Sequence, residues 1–172
     1  LSDRFHCQIA IAPAEKIPTF QKEFPGANGY FAQWKSGDLG ERLHNAIAYG
    51  LQMGYEKIAV IGTDSPHMPV QFVDRAFEWL ADCEVVLGPA EDGGYYLIAV
   101  QADLPFLFQN VLWGSRQVLA QTKSILSANG LTFELLPELY DVDYLDDLLR
   151  LQADAPEILA PLGTLKPVKK LC

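Results

Sequence analysis

Ile58-Ala59-Val60-Ile61-Gly62-Thr63-Asp64-Ser65-Pro66 and Val85-Val86-Leu87-Gly88-Pro89-Ala90-Glu91-Asp92-Gly93-Gly94-Tyr95-Tyr96-Leu97-Ile98-Ala99-Val100 decide the fold. Both are apolar, β-branched runs that stop in a loop carrying acid, glycine and proline, the pattern of buried strands. Between them Val70, Val73, Phe77 and Leu80 recur at helical spacing, so residues 70–81 are expected to form an amphipathic helix. In open α/β sheets ligands lie beyond the carboxyl ends of the strands, where Asp64 and the Glu91-Asp92 pair are expected. The connection over 89–94 is too short for a crossover helix. The strands at 84–88 and 95–100 therefore do not make a simple βαβ unit, and one of them running antiparallel would give a mixed sheet.

Working outward, Cys7-Gln8-Ile9-Ala10-Ile11-Ala12 reads as a buried strand ended by Pro13. Ile17, Phe20 and Phe24 suit a helix within 14–24, and residues 30–34 suit a short second strand. A helix follows to about residue 53, with Asp38 and Glu41 at capping-box spacing. Downstream, Ser115 is the expected N-cap of a helix stopped by Gly130, and residues 131–136 are the expected sixth strand. Asp143 and Asp146 have capping-box-like spacing before a helix over 144–152. Strands alternating with helices predict a three-layer αβα domain with a mostly parallel mixed sheet. One domain over residues 1–154 is expected, with residues 155–172 as an extended tail.

The 172 residues suffice for one substantial core, and 49% apolar with 20% charged residues is ordinary globular composition. A net charge of −9 disfavours nucleic acid or an anionic membrane surface as a general partner. No apolar run reaches membrane-spanning length. Cys7, Cys83 and Cys172 lack metal-like or redox spacing, and Cys7 and Cys83 read as small buried hydrophobes. A reducing, cytoplasmic setting is the expectation.

Asp64 suits a turn or cap carboxylate as well as it suits a ligand for Mg²⁺ or Mn²⁺. Such cations on nucleotide phosphates take only one or two protein carboxylates. Ser65-Pro66 fits an N-cap with proline at the first helical position. A hairpin turn would accept Asp92-Gly93. The alternative for Glu91, Asp92, Gly93 and Gly94 is an acceptor site, with glycines admitting a ligand and a carboxylate orienting or deprotonating a hydroxyl beside Tyr95. Asp141 and Asp143 flank one residue and face the same side of an extended segment, a geometry for a metal clamp or merely a cap and a solvated acid. Gly37 and Arg42 are candidate phosphate-binding residues at a helix N-terminus, though Arg42 suits surface charge equally well, and Lys35 reads rather as surface charge. Trp113 would wall the same cleft or pack in the core.

Gly37-Asp38-Leu39-Gly40-Glu41-Arg42, Gly62-Thr63-Asp64-Ser65-Pro66, the block over 88–98 and Tyr140-Asp141-Val142-Asp143 follow one another in order. Together they resemble a bacterial family of transferases described as radical-SAM- and selenodomain-associated glycosyltransferases. The resemblance runs from about residue 7 to residue 151, and Glu91-Asp92-Gly93-Gly94-Tyr95-Tyr96 is its most specific part. It implies a glycosyltransferase-A or nucleotide-diphospho-sugar transferase fold, similar to nucleotidyltransferases that modify molybdopterin and phospholactate. It further implies Asp64 as the metal or nucleotide carboxylate, Asp143 as a second metal carboxylate, and Glu91, Asp92 and Gly93 on the acceptor side. The family usually reads Asp-Val-Asp-Thr-Pro where this chain has Tyr144 and Leu145 after Asp143. It also usually begins with a central strand and a Lys-Thr-Arg phosphate loop, which residues 1–12 do not match. The expectation is therefore a fragment of a longer protein, a rearranged sheet, or a sheet completed by a partner; an open edge is compatible with a homodimer.

The leading expectation is a metal-dependent transferase using a nucleotide-activated donor, a nucleotide-sugar, and a small-molecule acceptor. Asp64 and Asp143 would hold Mg²⁺ or Mn²⁺, and Asp92 with Glu91 would serve the acceptor. The alternatives are nucleotidyl transfer to a phosphorylated small molecule, and a non-catalytic domain lacking the phosphate loop.

Overall fold

The computed structural model describes residues 4–33 and 37–160. In chain order the elements are β1 (Gln8–Ile11), α1 (Ile17–Glu23), β2 (Gly29–Ala32), α2 (Leu39–Gln52), β3 (Ile58–Ile61), α3 (Val70–Trp79), β4 (Val85–Pro89), β5 (Tyr95–Val100), α4 (Val118–Ala128), β6 (Phe133–Leu135), α5 (Leu145–Asp154) and α6 (Pro156–Leu159). The main sheet has the order β3-β5-β4-β6. β5 is antiparallel to both β3 and β4, while β4 and β6 are parallel. Three strands thus share one direction and β5 opposes them, the mixed sheet that the short 89–94 connection predicts. The fold is an α/β domain with a mixed parallel and antiparallel sheet.

β1 and β2 pair in parallel as a separate two-stranded sheet. Among the described residues β1 has no strand partner but β2, and β3 none but β5. All four residues of β3 are only partly buried, whereas β4 is buried throughout. The expected strand at 30–34 ends at Ala32, and Trp34, Lys35 and Ser36 lie outside the described residues.

The period-two alternation of the strands sorts their side chains onto two faces. Val86, Leu97 and Ala99 pack with Val73 and Ala76 of α3 and with Leu80 just after it. Val85, Leu87, Ile98 and Val100 pack with Ile47 of α2 and Leu126 of α4. A register shift at Gly88/Pro89 interrupts the alternation, so that Tyr96 joins Leu97 on the α3 side and Tyr95 turns to the α4 side. The Tyr96 ring lies over Gly88, where an added Cβ would come within 2.4 Å of it, and its hydroxyl donates to the Pro137 carbonyl at 2.9 Å.

Local signals explain some helix ends and miss others. Asp38 caps α2 as expected, its carboxylate accepting from the Glu41 N–H at 3.0 Å. Gly130, at φ +68°, follows α4 as the expected stop. α4 starts later than Ser115 suggests, at Val118, because residues 115–117 form a turn whose Ser115 carbonyl accepts from the Val118 N–H. α5 is capped at Tyr144 instead of Asp143, and Asp147, not Asp146, accepts from the Tyr144 N–H at 2.9 Å. Ser65 starts no helix: α3 begins at Val70 behind Pro69. Within the expected tail, Leu159 of α6 is buried against Leu151 and Ala155; residues 161–172 lie outside the described residues. Among the described residues no helix is long and apolar enough to cross a membrane. Cys83 is buried and Cys7 partly so, both as free thiols.

Candidate functional site

Three loops leave the carboxyl ends of the like-directed strands together: residues 62–67 after β3, 90–94 after β4, and 139–144 beyond β6. Backbone hydrogen bonds fix their spacing. Val142 N–H donates to the Asp64 carbonyl at 2.8 Å, and Glu91 N–H to the Leu139 carbonyl at 2.9 Å. The single parallel bridge Ala90–Leu139 extends the β4–β6 pairing up to the turn.

Asp141 lies where these loops meet. The Ser65 hydroxyl, buried at 5% exposure, donates to its Oδ1 at 2.9 Å. Burial raises the Asp141 carboxyl above the ordinary aspartate value, and the negative charges of Asp92, Asp143 and Asp64 push it the same way. Four acids from three loops therefore share one electrostatic neighbourhood. Asp64 is exposed, with the Thr63 hydroxyl 3.4 Å from its Oδ1. Asp143 is also exposed, and its backbone N–H donates to Asp147 at 3.2 Å. Among the described residues no three His, Cys, Asp or Glu side chains form a ready metal cage. Asp64, Asp141 and Asp143 are the carboxylates that would be offered to a cation, which on nucleotide phosphates takes only one or two of them.

The turn after β4 is built as a turn first. Gly93 N–H donates to the Ala90 carbonyl at 3.0 Å, and Gly94 N–H to Asp92 Oδ1 at 2.7 Å. Gly93 has φ +90°, and a Cβ there would lie 2.2 Å from the Arg116 carbonyl oxygen. Its own carbonyl accepts from the Leu119 N–H at 2.9 Å, which docks the start of α4. Asp92 therefore spends one carboxylate oxygen on the turn. Glu91 spends both: Arg150 Nη1 and Nη2 reach Oε2 and Oε1, each at 2.9 Å. That guanidinium holds the Glu91 carboxyl below the usual glutamate range.

Arg150 is further organised by aromatic rings. Its guanidinium carbon is 3.8 Å from the Tyr140 ring centroid, and Tyr140 is stacked with His67 at 4.0 Å between centroids. Neither His67 ring nitrogen has a hydrogen-bond partner, and both are buried. Burial first, and Arg150 second, lower the His67 pKa and favour the neutral imidazole. Ser65, Asp141, Tyr140, His67 and Arg150 thus lie together. Spacing marks Asp141 along the chain and Ser65 reads there as a cap, but the 76 residues between them hide their bond, and nothing local marks Arg150.

The remaining expected residues sit apart from this cluster. Tyr95 and Trp113 meet edge to face at 6.4 Å, both packed against the core on the α4 side. Burial raises the Tyr95 phenol far above its ordinary value. Gly40 of α2 makes room for Trp113, since a Cβ there would be 2.5 Å from the indole nitrogen. Gly37, at φ +88°, leaves space occupied by the Glu41 carboxylate. Arg42 folds back onto its own helix, with Nε 3.3 Å from the Asp38 carbonyl. The described contacts of Gly37 and Arg42 stay within the first turn of α2.

The family described as "Uncharacterized protein conserved in bacteria (DUF2064)" matches residues 2–115. The chain belongs to this family. The match spans Asp64, Glu91, Asp92 and Trp113 and ends before Asp141 and Arg150. A crystal structure of a candidate nucleotide-diphospho-sugar transferase from Desulfovibrio desulfuricans G20 is 30% identical, with a TM-score of 0.75 over 86% of this chain. The chain spans 66% of the length of that protein. A molybdopterin-guanine dinucleotide biosynthesis protein A from Archaeoglobus fulgidus aligns at 12% identity and a TM-score of 0.49, over 96% of this chain and 75% of its own. No curated protein matches.

Proposed function

We infer that this DUF2064 chain is a transferase that uses a nucleotide-activated donor, a nucleotide-sugar, in the manner that the name of the D. desulfuricans relative suggests. The observation that carries this reading is the meeting of Asp64, Asp92, Asp141 and Asp143 at the carboxyl ends of the sheet, with Asp141 forced above its ordinary ionisation range. Carboxylates are gathered in this way where a cation is to be held. Mg²⁺ or Mn²⁺ would bind Asp64 with Asp141 or Asp143 and neutralise a leaving diphosphate. Asp92, with one oxygen outside the turn, would orient or deprotonate the acceptor hydroxyl. The narrower kinship with radical-SAM- and selenodomain-associated transferases, the cytoplasmic setting and the single domain through residue 154 form part of the same proposal.

Incubation with nucleotide-sugars and Mn²⁺ tests it. Release of nucleoside diphosphate is the expected outcome, and Asp64→Asn and Asp92→Asn should each lower turnover by about 10²-fold or more. Pyrophosphate release from nucleoside triphosphates would instead identify nucleotidyl transfer. Failure to bind nucleotide with Mn²⁺ in titration calorimetry would leave the non-catalytic alternative.

A further inference from the structure

Arg150 pairs with Glu91, the residue before Asp92, and nothing in its local sequence marks it. It arrives from α5, meets Glu91 of the β4–β5 turn end-on with two 2.9 Å contacts, and lies on the Tyr140 ring. Asp154, one helical turn on, stands 3.6 Å from its Nε and also accepts from the Tyr140 hydroxyl at 3.2 Å. Asp147 and His67 act electrostatically on the same Glu91 carboxylate.

Three features of this arrangement bear on a ligand. The two-pronged face that Arg150 presents to Glu91 is the face that matches two oxygens of a phosphate group. Arg150 and Glu91 side chains are each 47% exposed, and a solvated ion pair of this kind contributes little to folding, so exchanging one anion for another costs little. The buried Tyr140 ring and Asp154 hold the guanidinium independently of Glu91, so the fork stays in place when its partner changes. Asp154 acts on Arg150 and Asp147 on Glu91, so the pair sits among further acids, and a phosphate entering there needs cationic partners.

We propose that Arg150 is a phosphate-recognition residue of this site, with Glu91 occupying the guanidinium until a phosphate group displaces it. The proposal rests on the transferase reading above and adds the anion's binding partner. The bound phosphate takes the Nη1/Nη2 face, and the released Glu91 carboxylate becomes free beside Asp92. In the resting state Glu91 is a tether between turn and helix, and it gains a free carboxylate only when ligand arrives. The phosphate belongs to either the donor diphosphate or a phosphorylated acceptor, and both offer the same chemistry to the fork.

Titration calorimetry of the full chain with pyrophosphate and, separately, with glycerol 3-phosphate, each in the presence of Mg²⁺, tests the proposal. Glu91→Gln keeps the shape and removes the competing charge, so phosphate binding should tighten by roughly 3–10-fold. Arg150→Gln should weaken it ~10-fold or more, and Arg150→Lys should fall between, because an ammonium lacks the fork. Tightening confined to pyrophosphate identifies the donor side, and tightening confined to glycerol 3-phosphate identifies the acceptor side. A purely structural tether predicts that Glu91→Gln and Arg150→Gln weaken binding together; that result, or no change in either, overturns the proposal. If Arg150→Gln does not fold, the gain in Glu91→Gln decides alone. Mg²⁺ titration without phosphate keeps the two readings separable. Mg²⁺ binding without the Glu91→Gln gain defeats only the Arg150 assignment, whereas Arg150-dependent phosphate binding without Mg²⁺ binding defeats only the metal.

Discussion

The β4–β5 hairpin and the β1–β2 pair are both made of short apolar strands, yet they occupy opposite ends of the range of burial. Every residue of β4 is buried, and so are five of the six in β5, between α3 on one face and α2 with α4 on the other. In β1 only Ile11 is buried, and in β2 no residue is. Hydrogen-bond pairing alone does not make a strand interior; a neighbour on each edge and a layer on each face do. The acids of the candidate site are carried by loops of the well-covered half. β3 is intermediate: among the described residues it is paired on one edge only, and it is partly exposed throughout, although it delivers Asp64.

The largest expected difference between the two regions is in opening. Backbone amides of β5 should exchange with solvent ~10²-fold more slowly than those of β1, measured by hydrogen–deuterium exchange. Comparable protection in the two sheets would break the comparison. Next in size, Leu97→Ala should cost about 3 kcal/mol in urea unfolding, and Ile9→Ala about 1 kcal/mol, because the first opens a fully buried site and the second a partly exposed one. Gly93→Ala tests whether the hairpin's rigidity extends into its turn. The positive φ and the Arg116 carbonyl together should make it cost about 2 kcal/mol, whereas Gly54→Ala, with a similar φ and open space, should cost less.

The smallest effect is one of pH. Asp141 ionises at higher pH in the folded chain than in the unfolded one. Its contribution to stability is thus present below the ordinary aspartate range and lost as the pH rises through its raised value. Glu91 is shifted the other way by Arg150, so its contribution is present above the ordinary glutamate range and lost as the pH falls through its lowered value. Asp141→Asn should therefore gain stability over the unsubstituted chain as urea titrations move from about pH 4 to pH 7 without divalent cations. Glu91→Gln should lose it over the same interval. Like-signed changes in the two variants would show that burial and the neighbouring acids do not raise Asp141.

Much of this fold can be read along the chain because its signals are local. The apolar runs at 58–61, 85–89 and 95–100, the Asp38 cap and the short 89–94 connection each work within a few residues, and they yield the mixed sheet. The bulge at Gly88/Pro89 escapes such reading because it depends on where Tyr96 finds space. The helix starts at Val118 and Leu145 escape it because turn and cap bonds displaced the expected caps. In the candidate site the acids were visible as residue types at strand ends, but their partners were not. Ser65 finds Asp141 across 76 residues, and Arg150 finds Glu91 across 59. Only the closed fold brings these pairs together, and the turn bonds around Asp92 and Gly93 likewise show a structural demand beneath residues selected for their chemistry.

The 2.8 Å bond from the Val142 N–H to the Asp64 carbonyl has a consequence for how such a site can change. It joins two acid-bearing loops through main-chain atoms alone, so it is indifferent to what side chains those loops carry. Substitutions at 63–64 or 143–145 can accumulate while this bond keeps the spacing of the loops. A lineage built on this frame can exchange acids, hydroxyls and aromatics over one cleft without first rebuilding it, and laboratory redesign can start from the same freedom.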